Sequence, residues 1–184
     1  MDDLAHDLTH HDFSDRRTVR SITEESEMQR TLALRMEANA NGAHVVTRED
    51  EVADRKRTDI RLSAVNGSHK AVIEVKIADN RWSLAGLERA LRNQLVGQYL
   101  RHTTCKAGCL MLTCHGRRQY WVHPETRKRI GFSDAVAYLN DKGRILENEA
   151  LRDVRIAVHG LDLTDPPLVR PKLSAALSSQ PKAS

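Results

Sequence analysis

Asp59, Glu74 and Lys76 are spaced so that one hairpin would gather all three. They lie on two strand-like runs, 58–65 and 70–77, on either side of Asn66-Gly67, a strong short-range turn signal. With that dipeptide at the tip, or with a four-residue loop over 65–68, the register is the same. Asp59 then lies directly across from Glu74. Opposed side chains in such a ladder have Cβ atoms about 4.5–5.5 Å apart. Two carboxylates that close repel unless something cationic sits between them. Lys76 is two residues beyond Glu74 and projects from the same face of the strand. Hard carboxylate oxygens select a divalent ion such as Mg²⁺, with Mn²⁺ able to substitute. The backbone carbonyl of Val75 is a further candidate ligand. An ion held this way, with a lysine beside it, offsets the charge of a phosphodiester and lowers the pKa of a bound water.

The rest of the chain supplies elements to hold this hairpin. A helix is expected over 22–40, with Ser21 and Glu24 as a capping box and Met28, Leu32 and Met36 as its apolar stripe. Asn41-Gly42 ends it. A short strand over 43–47 and a charged connection over 48–57 lead into the hairpin. There Ile60, Leu62 and Ala64 share the core face with Ala71, Ile73, Val75 and Ile77. Asp59, Arg61, Glu74 and Lys76 share the other face, read as the side of a cleft.

Ser83 is expected to cap a long helix reaching residue 101, striped by Leu84, Leu87, Leu91 and Leu95. The run 107–114 is continuously apolar, as in a strand covered on both faces. A helix over 133–148, weakened or split by Gly143, and a last strand over 154–163 follow. The domain is placed at 20–164. It is preceded by a flexible acidic, histidine-containing segment 1–19 and followed by a disordered tail 165–184. The fold class is α/β, a central mixed β-sheet flanked by α-helices.

Composition narrows the function classes. A length of 184 residues, 40% hydrophobic and 29% charged, suits one domain with a real core. No apolar run approaches a membrane span, and the acidic start has no apolar core of a secretory signal. A cytoplasmic protein without a membrane partner is expected. Cys105, Cys109 and Cys114 fit no common zinc spacing and read as buried thiols rather than as a zinc site with His115 or His123. His6, His10 and His11 read as part of a weakly ordered end. The net charge is +4, and the acidic first segment leaves the remainder more basic still. That excess is compatible with a phosphate-backbone partner.

The string Arg57-Thr58-Asp59-Ile60 … Ile73-Glu74-Val75-Lys76 resembles the core of the PD-(D/E)xK, or restriction-endonuclease-like, nuclease superfamily. The resemblance covers roughly residues 22–115, with Thr58 where the family name has proline. It implies a restriction-endonuclease-like core, with Asp59 and Glu74 as metal ligands and Lys76 positioning or activating the attacking water. The family's first-helix acid maps to Glu25, with Glu24 or Glu27 as alternatives. Gln94 is similar to the polar helix residue that many members place near the site, with Gln98 and Tyr99 as companions. The implied activity is Mg²⁺-dependent cleavage of DNA to 5′-phosphate and 3′-hydroxyl ends, in restriction, phage defence or repair.

The stretch 117–129 is basic and interleaved with aromatics. Arg117, Arg118, Arg127, Lys128 and Arg129 are candidates for nucleic-acid backbone contacts, with Tyr120 or Trp121 against bases or sugars. The chain carries neither an NTP-binding loop nor a recognisable DNA-reading module. Target choice is therefore expected from a homodimer mate, a larger complex or a parent protein. A non-catalytic binding module of the same fold and an RNA-cleaving nuclease are the rival readings.

Overall fold

A computed structural model describes residues 16–48, 51–52, 56–57, 59–100, 103–150 and 153–164. The expectations for 1–15, for Thr58 and for the tail from 165 lie outside these residues. Among them the order is α1 (Arg16–Ser21), α2 (Glu25–Ala38), β1 (His44–Arg48), β2 (Glu51–Val52), β3 (Lys56–Arg57), β4 (Ile60–Ala64) and β5 (Lys70–Ile77). Helix α3 (Leu84–Arg89) runs directly into a π-helical segment (Ala90–Tyr99). Then come β6 (Cys105–Cys114), β7 (Trp121–Val122), β8 (Arg129–Ile130), α4 (Phe132–Glu149) and β9 (Arg155–Asp162).

Five strands form one mixed sheet in the order β1-β4-β5-β6-β9. The β1–β4 and β4–β5 pairs are antiparallel, and β5–β6 and β6–β9 are parallel. The two parallel connections pass through α3 and through α4. Their buried leucines, Leu84, Leu87, Leu91, Leu95, Leu139 and Leu146, form one core against one face of the sheet. Helix α2 buries Met28, Leu32 and Met36 against Ile60, Ile73, Val75 and Ile77 on the other face. The protein is therefore an α/β fold with a mixed sheet flanked by helices. No helix among the described residues is long and apolar enough to cross a membrane.

Several elements differ from the sequence expectation. The capping box does not form. Ser21 Oγ instead donates to Thr18 O at 2.7 Å and closes α1, while Glu24 becomes the N-cap of α2 without a side-chain cap bond. The ordered domain starts before residue 20. Val19 of α1 is buried, Arg20 Nε donates to His115 O at 3.0 Å, and Arg16 donates to the carbonyls of Leu163 and Thr164. Helix α4 is continuous through Gly143. That residue is buried, and a Cβ there would lie 3.3 Å from Ile156 Cγ2. The missing side chain lets the helix settle on β9, and that contact outweighs glycine's low helix propensity.

Ser83 does cap α3, its hydroxyl accepting from Gly86 N at 3.1 Å. After Arg89 the helix widens to the π pattern, and its last carbonyl bond runs from Leu100 N to Leu95 O at 3.1 Å. Spacings of three and four residues between leucines do not announce such a change, because they fit both helix types. π-Helical segments are rare and concentrate at functional sites.

Candidate active site

The β4–β5 ladder has the expected register, with Ile60 opposite Ile73, Arg61 opposite Val72 and Leu62 opposite Ala71. One further step puts Asp59 opposite Glu74. Asp59 sits just before the ladder's first pair, and its Oδ2 accepts the N–H of Val75 at 2.8 Å. That bond ties the acid to the strand carrying Glu74 and Lys76. Val75 thus presents its backbone edge to Asp59.

The face of β5 carrying Glu74 and Lys76 is not an open cleft. Glu74 is 2% exposed and Lys76 6%. Val72, on the same face, packs in the core under Leu91, Leu95 and Tyr99. With β6 paired along the edge of β5, the helical segment after Ser83 roofs that face, so the two charged groups must satisfy each other. Lys76 Nζ lies 2.7 Å from Glu74 Oε1 and 3.3 Å from Glu25 Oε2. Glu25, at the first turn of α2, is the first-helix acid that reaches the site. Its other oxygen accepts from Trp82 Nε1 at 2.8 Å. The Lys76 ammonium also lies over the Trp82 ring, 5.3 Å from its centroid.

The electrostatics follow from this burial. Asp59 is pushed up to about 6, first by desolvation and then by the charge of Glu74. Burial alone would lower Lys76, but the charge and hydrogen bond of Glu74, with Glu25 and Asp59 behind it, raise it above its ordinary value. Lys76 is therefore a fixed cation. The Tyr99 hydroxyl, at the end of the π-helical segment, is raised by burial and then by the charges of Glu74 and Asp59. A hydrogen bond between that hydroxyl and Glu74 adds to the rise.

Gln94 is placed differently. It lines a recess behind Trp82, and its Oε1 is buried without a hydrogen-bond partner. Trp82 was absent from the sequence-derived site. Its position six residues past Lys76, just after the strand turns, is the only signal that pointed to it.

Among the described residues no three His, Cys, Asp or Glu side chains converge closely enough to enclose a metal ion. Asp59 and Glu74 make a two-carboxylate pair, and Glu25 is turned toward Trp82 and Lys76. The pair nevertheless suits Mg²⁺, which keeps several waters and binds through one or two carboxylates. Glu74 Oε2 is buried with no hydrogen-bond partner. Leaving such an atom unsatisfied costs about 1–3 kcal/mol or more. That lone oxygen and the raised Asp59 both mark a place short of positive charge.

The basic stretch divides in two. Arg117 donates to Ile22 O at 2.9 Å, and Arg118 donates to Trp82 O. Both guanidinium groups therefore brace the domain. Trp121 is buried and turned inward, its Nε1 donating to Trp82 O at 3.2 Å. Tyr120 stays 42% exposed, with the Arg129 guanidinium 4.2 Å from its ring centroid. Arg127, Lys128 and Arg129 are exposed on the β7–β8 hairpin.

All three cysteines are free. Burial pushes Cys109 and Cys114 up to about 11. Both ring nitrogens of His115 are engaged, by Arg20 O at 2.8 Å and by Thr113 Oγ1 at 2.9 Å.

The chain matches no protein-family model and no curated protein. The reading of the site rests on its geometry and on the resemblance of its motif.

Proposed function

We propose that this protein is a Mg²⁺-dependent nuclease hydrolysing DNA phosphodiester bonds, built on a restriction-endonuclease-like core. The observation that carries the reading is the buried Glu74–Lys76 pair, 2.7 Å apart beside an Asp59 raised to about 6. A buried ion pair is weak as a device for stability, because desolvation offsets its attraction. A second carboxylate against it makes the arrangement costlier still. Perturbed groups of this kind cluster at functional sites.

Asp59 and Glu74 would hold the metal. When bound, it neutralises phosphate charge and lowers the pKa of a water. Lys76 stays protonated, so it donates to and orients an attacking water without serving as a general base. Glu25 and Trp82 fix where its ammonium points.

Nicking of supercoiled plasmid with Mg²⁺ or Mn²⁺ tests the reading. The wild type should cut, and Asp59→Asn and Lys76→Ala should each lose at least about 10²-fold, the scale of one positioned acid–base or electrostatic group. Equal cutting by all three proteins would remove these residues from the site.

One observation favours a second reading. The Lys76 ammonium already bridges Glu74 and Glu25, so the charge cluster can be a closed structural unit in a nucleic-acid-binding module. DNA binding without any cutting would select that reading. Parallel digestion of single-stranded RNA separates a ribonuclease.

A further inference from the structure

The recess behind Trp82 takes no part in the chemistry above. It has a volume of about 240 Å³ and is lined by Trp82, Gly86, Arg89, Ala90, Asn93 and Gln94. Three features describe its ligand. First, Gln94 lines the recess, and its Oε1 is sealed from solvent without a partner, so turning the amide outward gains a hydrogen-bond donor. Second, the indole is left open by a glycine. A Cβ at Gly86 would lie 3.4 Å from Trp82 Cε3 and 3.2 Å from Ser83 Oγ. Ala90 is nearly as small, so a flat ring can reach the indole. Third, the same indole touches the acid–lysine cluster, through Glu25 at 2.8 Å and Lys76 at 5.3 Å. Whatever stacks on Trp82 is one side chain away from Lys76.

We propose that this recess seats one unpaired nucleobase of a single-stranded DNA substrate, stacked on Trp82, with the Gln94 amide turning to accept an N–H of the base. This rests on the nucleic-acid reading above and narrows its substrate class. A base inside a duplex has both faces covered and its donors paired, and enters such a recess only after unstacking. Stacking one base on an aromatic ring contributes roughly fivefold to 150-fold in affinity. Arg89 and Asn93, both exposed at the rim, add a cation for the adjoining phosphate and a second amide.

The test uses the full chain as Asp59→Asn in EDTA, so that nothing is cut. Fluorescence anisotropy compares a fluorescein-labelled 20-nucleotide single strand with the duplex of the same sequence. The single strand should bind about tenfold tighter. Gln94→Leu and Gly86→Val, the latter filling the recess, should each reduce that preference below about threefold with duplex affinity unchanged. Equal binding of both forms overturns the proposal. So does a full preference in Gly86→Val protein whose circular dichroism and melting match the parent. If Gly86→Val does not fold, Gln94→Leu decides alone. An RNA strand that binds about tenfold tighter than its DNA counterpart overturns the assignment to DNA. Plasmid nicking by the wild type without single-strand preference sinks the recess and keeps the nuclease. Recess-dependent single-strand binding without nicking does the reverse.

Discussion

Asp59 gives the most direct handle on the charge cluster. Its folded pKa is about 6 against an ordinary value of 3.8. Between those values the folded protein binds more protons than the unfolded chain, so stability falls as pH rises from about 4 to about 6. Above pH 6 the loss is complete, up to about 3 kcal/mol for a shift of this size. Asp59→Asn should therefore melt higher than the wild type at pH 8 and show a flatter pH profile between 4 and 6. Melting curves followed by circular dichroism read both effects. Saturating Mn²⁺ should narrow the gap at pH 8 by raising the wild type alone.

Lys76 and Glu25 differ by their surroundings. Lys76→Met leaves the buried Glu74 carboxylate uncompensated and should cost about 3–5 kcal/mol in urea denaturation at pH 7.5. Glu25 is 26% exposed and can rely on water, so Glu25→Gln should cost about 1 kcal/mol or less. Equal losses would mean that Glu25, rather than Glu74, holds the lysine.

Among the elements, the hairpin was the most legible in sequence. Turn chemistry and period-two patterning fix its register, and Asp59 faces Glu74 for that reason alone. The leucine stripe before Arg101 was legible as a helix but not as a π-helical one. The roof it places over Glu74 turned an expected cleft face into a buried one. Trp82 was not assigned to the site because an aromatic in a turn carries no periodic signal. The capping box at Ser21 failed for a related reason: a local pattern was taken up by a neighbouring short helix that tertiary contacts hold in place.

Packing between β9 and α4 offers a test at this scale. A Cβ at Gly160 would lie 2.6 Å from Val136 Cγ2, a methyl with no freedom to retreat. Gly160→Ala should destabilise by about 1–3 kcal/mol. At Gly143 the closest atom is 3.3 Å away, and alanine gains up to about 1 kcal/mol of helix propensity. The two effects nearly cancel there, so Gly143→Ala should leave the melting temperature almost unchanged.

Over the whole molecule, the basic excess seen in the composition is not spread evenly. Arg117, exposed, and Arg118, half-buried, also bond Ile22 O and Trp82 O, and Arg127, Lys128 and Arg129 are exposed on the hairpin. Replacing these last three with alanine should weaken single-strand binding and lower the slope of log affinity against log salt by up to about 2, at roughly 0.7 per phosphate contact. A changed affinity with an unchanged slope would place the hairpin off the backbone path.

Arg16 bonds to the carbonyls of Leu163 and Thr164, so the described fold is sewn shut where it starts and where it stops. The first described helix is thereby pinned to the end of the last described strand, residues far apart along the chain. In architectural terms the arginine is a clasp: loosening it frees a helix that reaches the core through Val19 alone among its own residues.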